Sequence, residues 1–427
     1  MPDFLFLLES RLNPDQLRAV ERVQDAAREH GLHLYLVGGA LRDLIYGYPI
    51  RDLDFAVEGN ALKVARTVAK DDVQVREMDT NLRSSQLLFP GGLTTEISAC
   101  RSERRSRPGQ KPEIAFTGIY EDLKRRDFSM NAIGLSLNLN SRGLLLDPNN
   151  GVADIERHEI RVLHNFAFVD DPVRLVRAVR FRARLRFTLE PRTESLFRSA
   201  LESNLVESAD PAGLLHELKE MGREENPLDI LRVLDREGLT TAFHPRLAGP
   251  RLNLPALTVA MRTARSLQES GVSLRAYGPF LYFLLAKLSP HDRSSLVRRL
   301  GMQRQDADPW MHLEVETKQL VRALAGKQAN TPSKAFQLLS QQRGELLLFI
   351  LLKFPQKKIR DKVKNYLHRH RKMRAHLPAQ ELQGLGVAPD SPRYQKILDA
   401  YFFAQLDGKL KSRDPLKNLK KLVAEVK

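Results

Sequence analysis

Hydrophobic and polar positions divide the chain into a mixed N-terminal part and a helical remainder. Residues 14–30 repeat apolar side chains at helical spacing. Strand-like apolar runs and turn signals then dominate to about residue 98, and the Pro-Gly-Gly turn at 90–92 indicates a β-hairpin. Beyond residue 170 nearly every long segment has helical periodicity. The pattern predicts an α+β fold: a head with a small mixed or antiparallel sheet and flanking helices, followed by an all-α part.

Two segments interrupt this pattern. Residues 101–113 are polar, charged and broken by proline and glycine, a composition typical of a mobile loop. Residues 386–392 contain glycine and two prolines and interrupt the helical periodicity before the next helix. We expect a loop at the first segment and a late subdomain boundary at the second.

Composition narrows the range of partners. The chain has 427 residues and a mass of 48.6 kDa, which suggests two or more domains. Its formal net charge of +16 favours a polyanionic partner such as nucleic acid, although a surface rich in solvated lysine and arginine gives the same balance. A single cysteine, Cys100, excludes an internal disulfide and fits a reducing, cytoplasmic compartment. No apolar run approaches the roughly 20 residues of a membrane span, so we expect no membrane partner.

A glycine turn follows the first apolar strand. Leu34–Val37 has the character of a buried strand, and Gly38-Gly39 lets the backbone turn sharply and approach a triphosphate. Arg42 lies one helical turn further on, where its guanidinium could bind phosphate oxygens. A lone Gly-Gly is usually only a turn, so this motif needs support from its neighbours.

That support comes from two nearby carboxylates. Asp52 and Asp54 flank Leu53 in a strand-like segment, and residues at i and i+2 share one face of a strand. Both can therefore bind the same pair of Mg²⁺ ions, which lie roughly 3.5–4 Å apart in two-metal phosphoryl-transfer sites. Isolated Asp-x-Asp pairs are usually solvated, but the order of strand, glycine turn, helix and Asp-x-Asp strand points to nucleotidyl transfer.

With these motifs the chain resembles the family of class II tRNA nucleotidyltransferases (CCA-adding enzymes) and bacterial poly(A) polymerases. The resemblance continues in order to about residue 200. It implies a third carboxylate at Glu96, in Thr94-Thr-Glu-Ile-Ser, for which an exposed strand position is an equally good interpretation. It also assigns Arg125-Arg126-Asp127 and Asn131 to recognition of the nucleotide sugar. The pattern predicts that Asp127 opens a helix and that Asn131, four residues on, shares its face.

A second block is expected to select the base. Phe168-Val-Asp-Asp-Pro-Val-Arg places Asp171 and Arg174 three residues apart on the first turn of a helix that Asp170 or Asp171 caps. An acceptor beside a donor can pair with cytosine and adenine and exclude uracil and guanine. The family usually has glutamate where this chain has Asp170, which shortens the reach at that position. Arg177 could bind the triphosphate, or the block could be only a capped helix with a solvated arginine stripe.

The resemblance implies four parts and one reaction. The parts are a catalytic head at 1–140, a base-recognising neck at 141–205, a helical body at 206–385 and an RNA-contacting tail at 386–427. The reaction is template-independent addition of C and/or A to the tRNA 3′ end from CTP and ATP, with Mg²⁺ and release of pyrophosphate. The alternatives are a poly(A) polymerase acting on other RNA 3′ ends and a non-catalytic RNA-binding protein.

A basic segment between residues 353 and 374 is the candidate RNA contact. Its predicted RNA-binding residues are Lys357, Lys358, Lys362 and Arg369, although solvated helix faces are often equally rich in lysine. The sequence leaves open the oligomeric state, whether C, A or all three residues are added, and how the C-terminal helices bind RNA.

Overall fold

The chain folds into two units. A computed structural model describes residues 3–104, 112–275, 277–412 and 414–425. The units divide between Pro245 and Arg246. The predicted α+β architecture, a mixed-sheet head followed by helices, is confirmed. The finer division into head, neck, body and tail stays a prediction.

A seven-stranded mixed sheet forms the centre of the first unit. Its strand order is β3-β4-β5-β2-β1-β8-β9; β2 and β5 run parallel and every other neighbouring pair is antiparallel. The sheet strands are β1 His33–Val37, β2 Leu53–Glu58, β3 Gln74–Asp79, β4 Ser84–Leu88, β5 Thr94–Ala99, β8 Gly134–Ser136 and β9 Leu145–Leu146. Two short ladders complete the strands: β6 Arg101–Arg104 with β7 Glu113–Phe116, and β10 Glu159–Ile160 with β11 Thr188–Leu189.

Helices flank this sheet, and after β11 the rest of the first unit is formed by helices. Those of the first unit are α1 Phe4–Arg11, α2 Pro14–Glu29, α3 Gly39–Tyr46, α4 Ala61–Val68, α5 Ile119–Lys124, α6 Gly151–Glu156, α7 Ala167–Asp170, α8 Val173–Leu185, α9 Pro191–Glu202, α10 Pro211–Arg223 and α11 Pro227–Arg236. The prediction of a helix at 14–30 is confirmed by α2, which Asn13 and Gln16 begin with a reciprocal capping box. The hairpin predicted at 90–92 is also confirmed, because β4 and β5 pair antiparallel on either side of it.

The central strands are apolar on both faces, and this fixes their place in the sheet. In β1, residues 34–37 are all buried, and in β2 Leu53, Phe55, Ala56 and Val57 are fully buried. Such strands need neighbours on both sides and cover on both faces. The polar ends of these strands are therefore held at one edge of a rigid core.

The prediction of a loop over 101–113 is wrong at both ends. Arg101–Arg104 pairs antiparallel with Glu113–Phe116, so these residues form the β6–β7 hairpin. Side-chain ion pairs stabilise it: Glu103 accepts from Arg101 at 2.9 Å and lies 3.2 Å from Arg125 Nη1. The charges that suggested a solvated loop are partly paired with one another. Residues 105–111 lie outside the described residues.

A tight turn before α6 gives the first testable prediction. Asn150 is in the left-handed region at φ 55°, and a Cβ built on Gly151 would lie 2.2 Å from the carbonyl oxygen of Ser129. Gly151→Ala should therefore lower the free energy of unfolding by roughly 1–3 kcal/mol, the usual cost of overpacking. Urea denaturation of the full chain measures this. Gly384→Ala is the matched control, since nothing lies within 4 Å of its Cβ position, and an equal loss in both variants would contradict the steric explanation.

The second unit is helical throughout its described residues. Its α-helices are α12 Leu254–Glu269, α13 Tyr277–Leu285, α14 Pro290–Arg299, α15 Arg304–Met311, α16 Leu313–Ala325, α17 Pro332–Ser340, α18 Gly344–Lys353, α19 Lys357–Asn365, α20 Arg371–Ala375, α21 Ala379–Gly384, α22 Pro392–Leu406 and α23 Pro415–Glu425. The predicted break at 386–392 is confirmed, because α21 ends before it and α22 begins at Pro392. Leu382, Ile397 and Leu419 join the last three helices in one apolar cluster. Among the described residues, no helix is both long and apolar enough to cross a membrane.

Candidate active site

The glycine turn lies where β1 enters α3. Gly38 has φ 74° and ψ −135°, a conformation that strongly favours glycine, and it is the N-cap residue of α3. A Cβ built on Gly38 would lie 3.1 Å from Arg126 Nη1 and 3.6 Å from Asp54 Oδ2. Since the first N–H groups of a helix have no partner within the helix, this turn is suited to an anion.

The three predicted carboxylates lie on two neighbouring parallel strands. Asp54 is in β2 and pairs in register with Glu96 of β5, while Asp52 directly precedes β2. Thr94 Oγ1 lies 3.4 Å from Asp52 Oδ1. The prediction that Asp52 is itself within the strand is wrong by one residue. The glutamate expected beside the Asp-x-Asp pair is there.

The surroundings of Asp54 are suited to binding a cation. Burial, then the neighbouring charges of Glu96 and Asp52, raise the pKa of Asp54 to about 7. Its side chain is surrounded by protein but accessible from the cavity described below. Carboxylate oxygens are the donors that hard divalent cations prefer, and a cation would relieve this repulsion, so the donor set fits such an ion. No group of three or more His, Cys, Asp or Glu among the described residues is already arranged around one metal position.

Arg126 connects the glycine turn to the carboxylates. Asp122, which is fully buried, accepts from Arg126 Nη2 at 2.9 Å and from Arg125 Nη2 at 2.7 Å. Burial alone would lower the pKa of Arg126, but Asp122 and Asp54 raise it on balance. Arg126 therefore stays charged beside Gly38.

Asp127 and Asn131 form the predicted pair, but not on an α-helix. Residues Ser129–Asn131 make one turn of 3₁₀ helix, so the predicted helix is wrong. Asn131 Nδ2 nevertheless donates to Asp127 Oδ1 at 3.0 Å, and Arg177 Nη1 donates to Asp127 Oδ2 at 3.2 Å. Burial would raise the pKa of Asp127, but Arg177 and Asn131 lower it on balance, so it is a carboxylate.

Arg42 is held away from solvent by the same cluster. Its Nη1 donates to Asn131 Oδ1 at 2.6 Å, and its Nε and Nη2 donate to Asp43 Oδ1. Only 3% of Arg42 is exposed. In this arrangement its guanidinium orients Asn131.

The second block begins α8 as a capped turn. Pro172 is the N-cap residue, and Asp171 Oδ1 accepts from the backbone N–H of Val173 at 3.3 Å. Arg174 Nε lies 3.7 Å from Asp171 Oδ2, and its Nη2 donates to the carbonyl of Arg125 at 3.0 Å. Asp170 belongs to α7, and its carboxylate lies 3.9 Å from His164 Nδ1.

One cavity of about 490 Å³ brings these motifs together. Ten arginines and eight carboxylates line it, so it is strongly polar and suited to a charged ligand. The predicted residues that line it are Gly38, Gly39, Arg42, Asp52, Asp54, Glu96, Arg126, Asp127, Asn131, Asp171, Arg174 and Arg177. Asp170 is not among the lining residues.

Sequence reasoning missed the contribution of α10. Its Glu217 is fully buried and accepts from Arg177 Nε at 2.8 Å and Arg180 Nε at 2.7 Å, while Glu220 and Arg223 line the cavity. Burial alone would raise the pKa of Glu217, but the charges of Arg180 and Arg177 lower it to about 2. A signal was present: Glu217 lies on the apolar face of an amphipathic helix, between Leu214 and Met221.

The predicted RNA-binding residues lie in the second unit, in and just after α19. Lys357, Lys358 and Arg369 are exposed. The Lys362 ammonium donates to the carbonyl of Leu324 at 2.6 Å and of Ala329 at 2.7 Å, so it stabilises the end of α16. These contacts give Lys362 a structural role.

Comparisons with known proteins agree with this fold. Residues 34–161 match the family described as the poly A polymerase head domain. The chain is 30% identical over 404 residues to the A-adding tRNA nucleotidyltransferase of Geobacter sulfurreducens, across 93% of this chain and 46% of that protein. It is 34% identical over 230 residues to the CC-adding tRNA nucleotidyltransferase of Deinococcus radiodurans, across 53% of this chain and 60% of that protein. The chain spans about half the length of the curated relatives it matches.

Solved structures with the same fold extend over nearly the whole chain. A CCA-adding enzyme in apo form II is 25% identical, covers 100% of this chain and 99% of its own, and has a TM-score of 0.57. The Thermotoga maritima CCA-adding enzyme complexed with tRNA is also 25% identical, with a TM-score of 0.53 over 99% of this chain and 98% of its own. The sheet, glycine turn and carboxylates define a nucleotidyltransferase head. The chain belongs to the class II family of CCA-adding and related tRNA nucleotidyltransferases.

Proposed function

We propose that the protein is a template-independent RNA nucleotidyltransferase that adds C and/or A to the 3′ end of tRNA, using CTP and ATP and releasing pyrophosphate. The observation that carries this proposal is that the glycine turn, the paired carboxylates, Asp127 and the Asp171–Arg174 pair all line one cavity. The named activities of the relatives support the same substrates. We place the reaction in the cytoplasm, in keeping with the single cysteine.

We infer that the metal is Mg²⁺, held by Asp52 and Asp54, with Glu96 as the third carboxylate. Bound there, it would activate the RNA 3′-hydroxyl and neutralise charge on the triphosphate. Nucleotidyltransferases of this family generally use divalent metals, and Mg²⁺ usually enters together with its nucleotide. Since the three carboxylates are not prearranged around one position, phosphate oxygens would complete the coordination.

The protein side chains hold and select the nucleotide. We propose that the turn at Gly38 and Gly39 and the guanidinium of Arg126 bind the triphosphate, because they lie together beside Asp54. The Asp127–Asn131 pair offers acceptors and a donor to the ribose hydroxyls. Arg177 holds Asp127 in its charged form and is itself held by Glu217.

Asp171 and Arg174 are proposed to choose the base. Arg174→Ala should reduce the preference for CTP and ATP over UTP and GTP by roughly 10- to 100-fold, since a good bidentate contact is worth about 1–3 kcal/mol of discrimination. The measurement is kcat/KM for each of the four nucleotides on one RNA acceptor. Arg192→Ala, an exposed arginine in the first turn of α9, is the control. A uniform loss for all four nucleotides would contradict base recognition by Arg174.

The acceptor assay separates the two activities of the family. Purified protein should add one to three residues to tRNA lacking its 3′ end when CTP and ATP are supplied separately or together. Products sized on a sequencing gel give the number and identity of added residues. A long A tail on unrelated RNA would instead assign a poly(A) polymerase.

A further inference from the structure

We propose that Arg223 is a placeholder cation, which neutralises Asp52 while no divalent metal is bound and leaves it when a metal ion arrives. The last residue of α10 is Arg223, and its Nη2 lies 3.1 Å from Asp52 Oδ1 and 3.4 Å from Oδ2. The guanidinium thus lies against both of the oxygens with which Asp52 would bind a metal ion. This inference rests on the proposed function, since it takes Asp52 to be a metal ligand.

The exposure of the pair allows it to open. Side-chain exposure is 49% for Arg223 and 34% for Asp52, whereas the nearby Arg180–Glu217 pair is 5% and 0% exposed. Breaking a partly exposed ion pair costs little because water replaces each partner. Breaking the buried pair would leave two uncompensated charges. Of these two pairs, the Arg223–Asp52 pair is therefore the one suited to exchange.

A second acceptor would hold Arg223 after it leaves Asp52. Glu220, one helical turn earlier in α10, accepts from Arg223 Nη1 at 2.9 Å. Burial would lower the pKa of Arg223, but Glu220 and Asp52 raise it. An arginine side chain does not give up its proton, so Asp52 is freed only by movement of the guanidinium.

The carboxylates explain why a placeholder is useful. Asp52, Asp54 and Glu96 are like charges at one sheet edge, and without a cation they repel one another. Among the described residues no three-ligand metal group is already formed, which agrees with a site whose Asp52 is engaged elsewhere. Arg223 lies within hydrogen-bond distance of both oxygens of Asp52, and because the guanidinium and a metal ion are both positive, each weakens the binding of the other at that carboxylate.

Mn²⁺ binding to the nucleotide-free full-length protein tests this inference. Titration followed by electron paramagnetic resonance of free Mn²⁺ should show that Arg223→Gln binds the ion about two- to fivefold tighter than the unchanged protein, the range for a partly exposed ion pair. Arg51→Gln is the charge-matched control: Arg51 lines the same cavity but pairs with Glu224 at 2.9 Å. It should tighten binding less than Arg223→Gln does.

Three outcomes would overturn the inference, and they have different meanings. Equal tightening in both variants would mean that the overall positive charge of the cavity sets the affinity for Mn²⁺, and that displacement of Arg223 from Asp52 does not. Unchanged affinity in Arg223→Gln, with normal circular dichroism, would mean that Arg223 does not compete with the metal. Absence of Mn²⁺ binding in all three nucleotide-free proteins would overturn the placeholder, and its absence also when a non-hydrolysable CTP analogue is bound would overturn the proposed metal site.

Discussion

Replacing Asp54 with asparagine is expected to reduce nucleotide incorporation by roughly 10²–10³-fold or more, the usual loss when one group that stabilises developing charge is removed. Asp54 lies between Glu96, Asp52 and the glycine turn. An amide keeps the shape of the side chain but removes the charge that would hold a cation. Single-turnover incorporation of labelled CTP or ATP into RNA measures the change.

The same variant should not be less stable. Burial and two neighbouring carboxylates raise the pKa of Asp54 to about 7, so its ionised form is unfavourable in the folded protein at neutral pH. Removing this charge relieves repulsion, and the thermal midpoint should stay the same or rise. Loss of activity together with retained stability is the signature of a functional residue that opposes folding.

Asp72→Asn serves as the control for Asp54→Asn. Asp72 is an exposed carboxylate of the same unit, paired with Arg22 at 2.8 Å. Its replacement should leave incorporation unchanged, because surface ion pairs contribute little. Full activity in Asp54→Asn would refute the assignment of this sheet edge as the catalytic centre.

Local patterns predicted the parts of the site that depend on neighbouring residues. A continuous apolar run and a glycine turn need only a few consecutive positions, so β1 and Gly38 could be identified and β2 could be located to within one residue. The pairing of Asp54 with Glu96 joins strands 42 residues apart and came from resemblance, not from periodicity.

Partners distant in sequence could not be predicted. Arg177 contacts Asp127 across 50 residues and Glu217 across 40, and no periodic signal encodes either contact. Arg42 was expected to be free for phosphate, yet packing buries it against Asp43 and Asn131. The β6–β7 hairpin was missed because its charged residues pair with one another, while composition alone indicated solvation.

The buried ion-pair group of α8 and α10 gives the second large prediction. Glu217→Gln should lower the free energy of unfolding by roughly 3–5 kcal/mol, because it removes the carboxylate that the buried Arg180 and the partly buried Arg177 share. Arg177 and Arg180 both donate to Glu217, which has no exposed side-chain surface. Chemical denaturation monitored by circular dichroism measures the loss. Glu194→Gln, whose partner Arg198 is exposed, should cost less than about 0.5 kcal/mol.

The same group predicts a dependence of stability on pH. The pKa of Glu217 is about 2 in the folded protein, below its ordinary value of 4.5, so the folded state binds this proton less readily than the unfolded state does. Its contribution, about 3 kcal/mol, is complete above pH 4.5 and is lost as the pH falls from 4.5 towards 2. In Glu217→Gln the free energy of unfolding should therefore fall less between pH 4.5 and 2 than in the unchanged protein. In Glu194→Gln it should fall as much as in the unchanged protein. If the unchanged protein and Glu217→Gln lost stability equally between pH 4.5 and 2, other carboxylates would be responsible, and the shared-carboxylate account of α8 and α10 would be wrong.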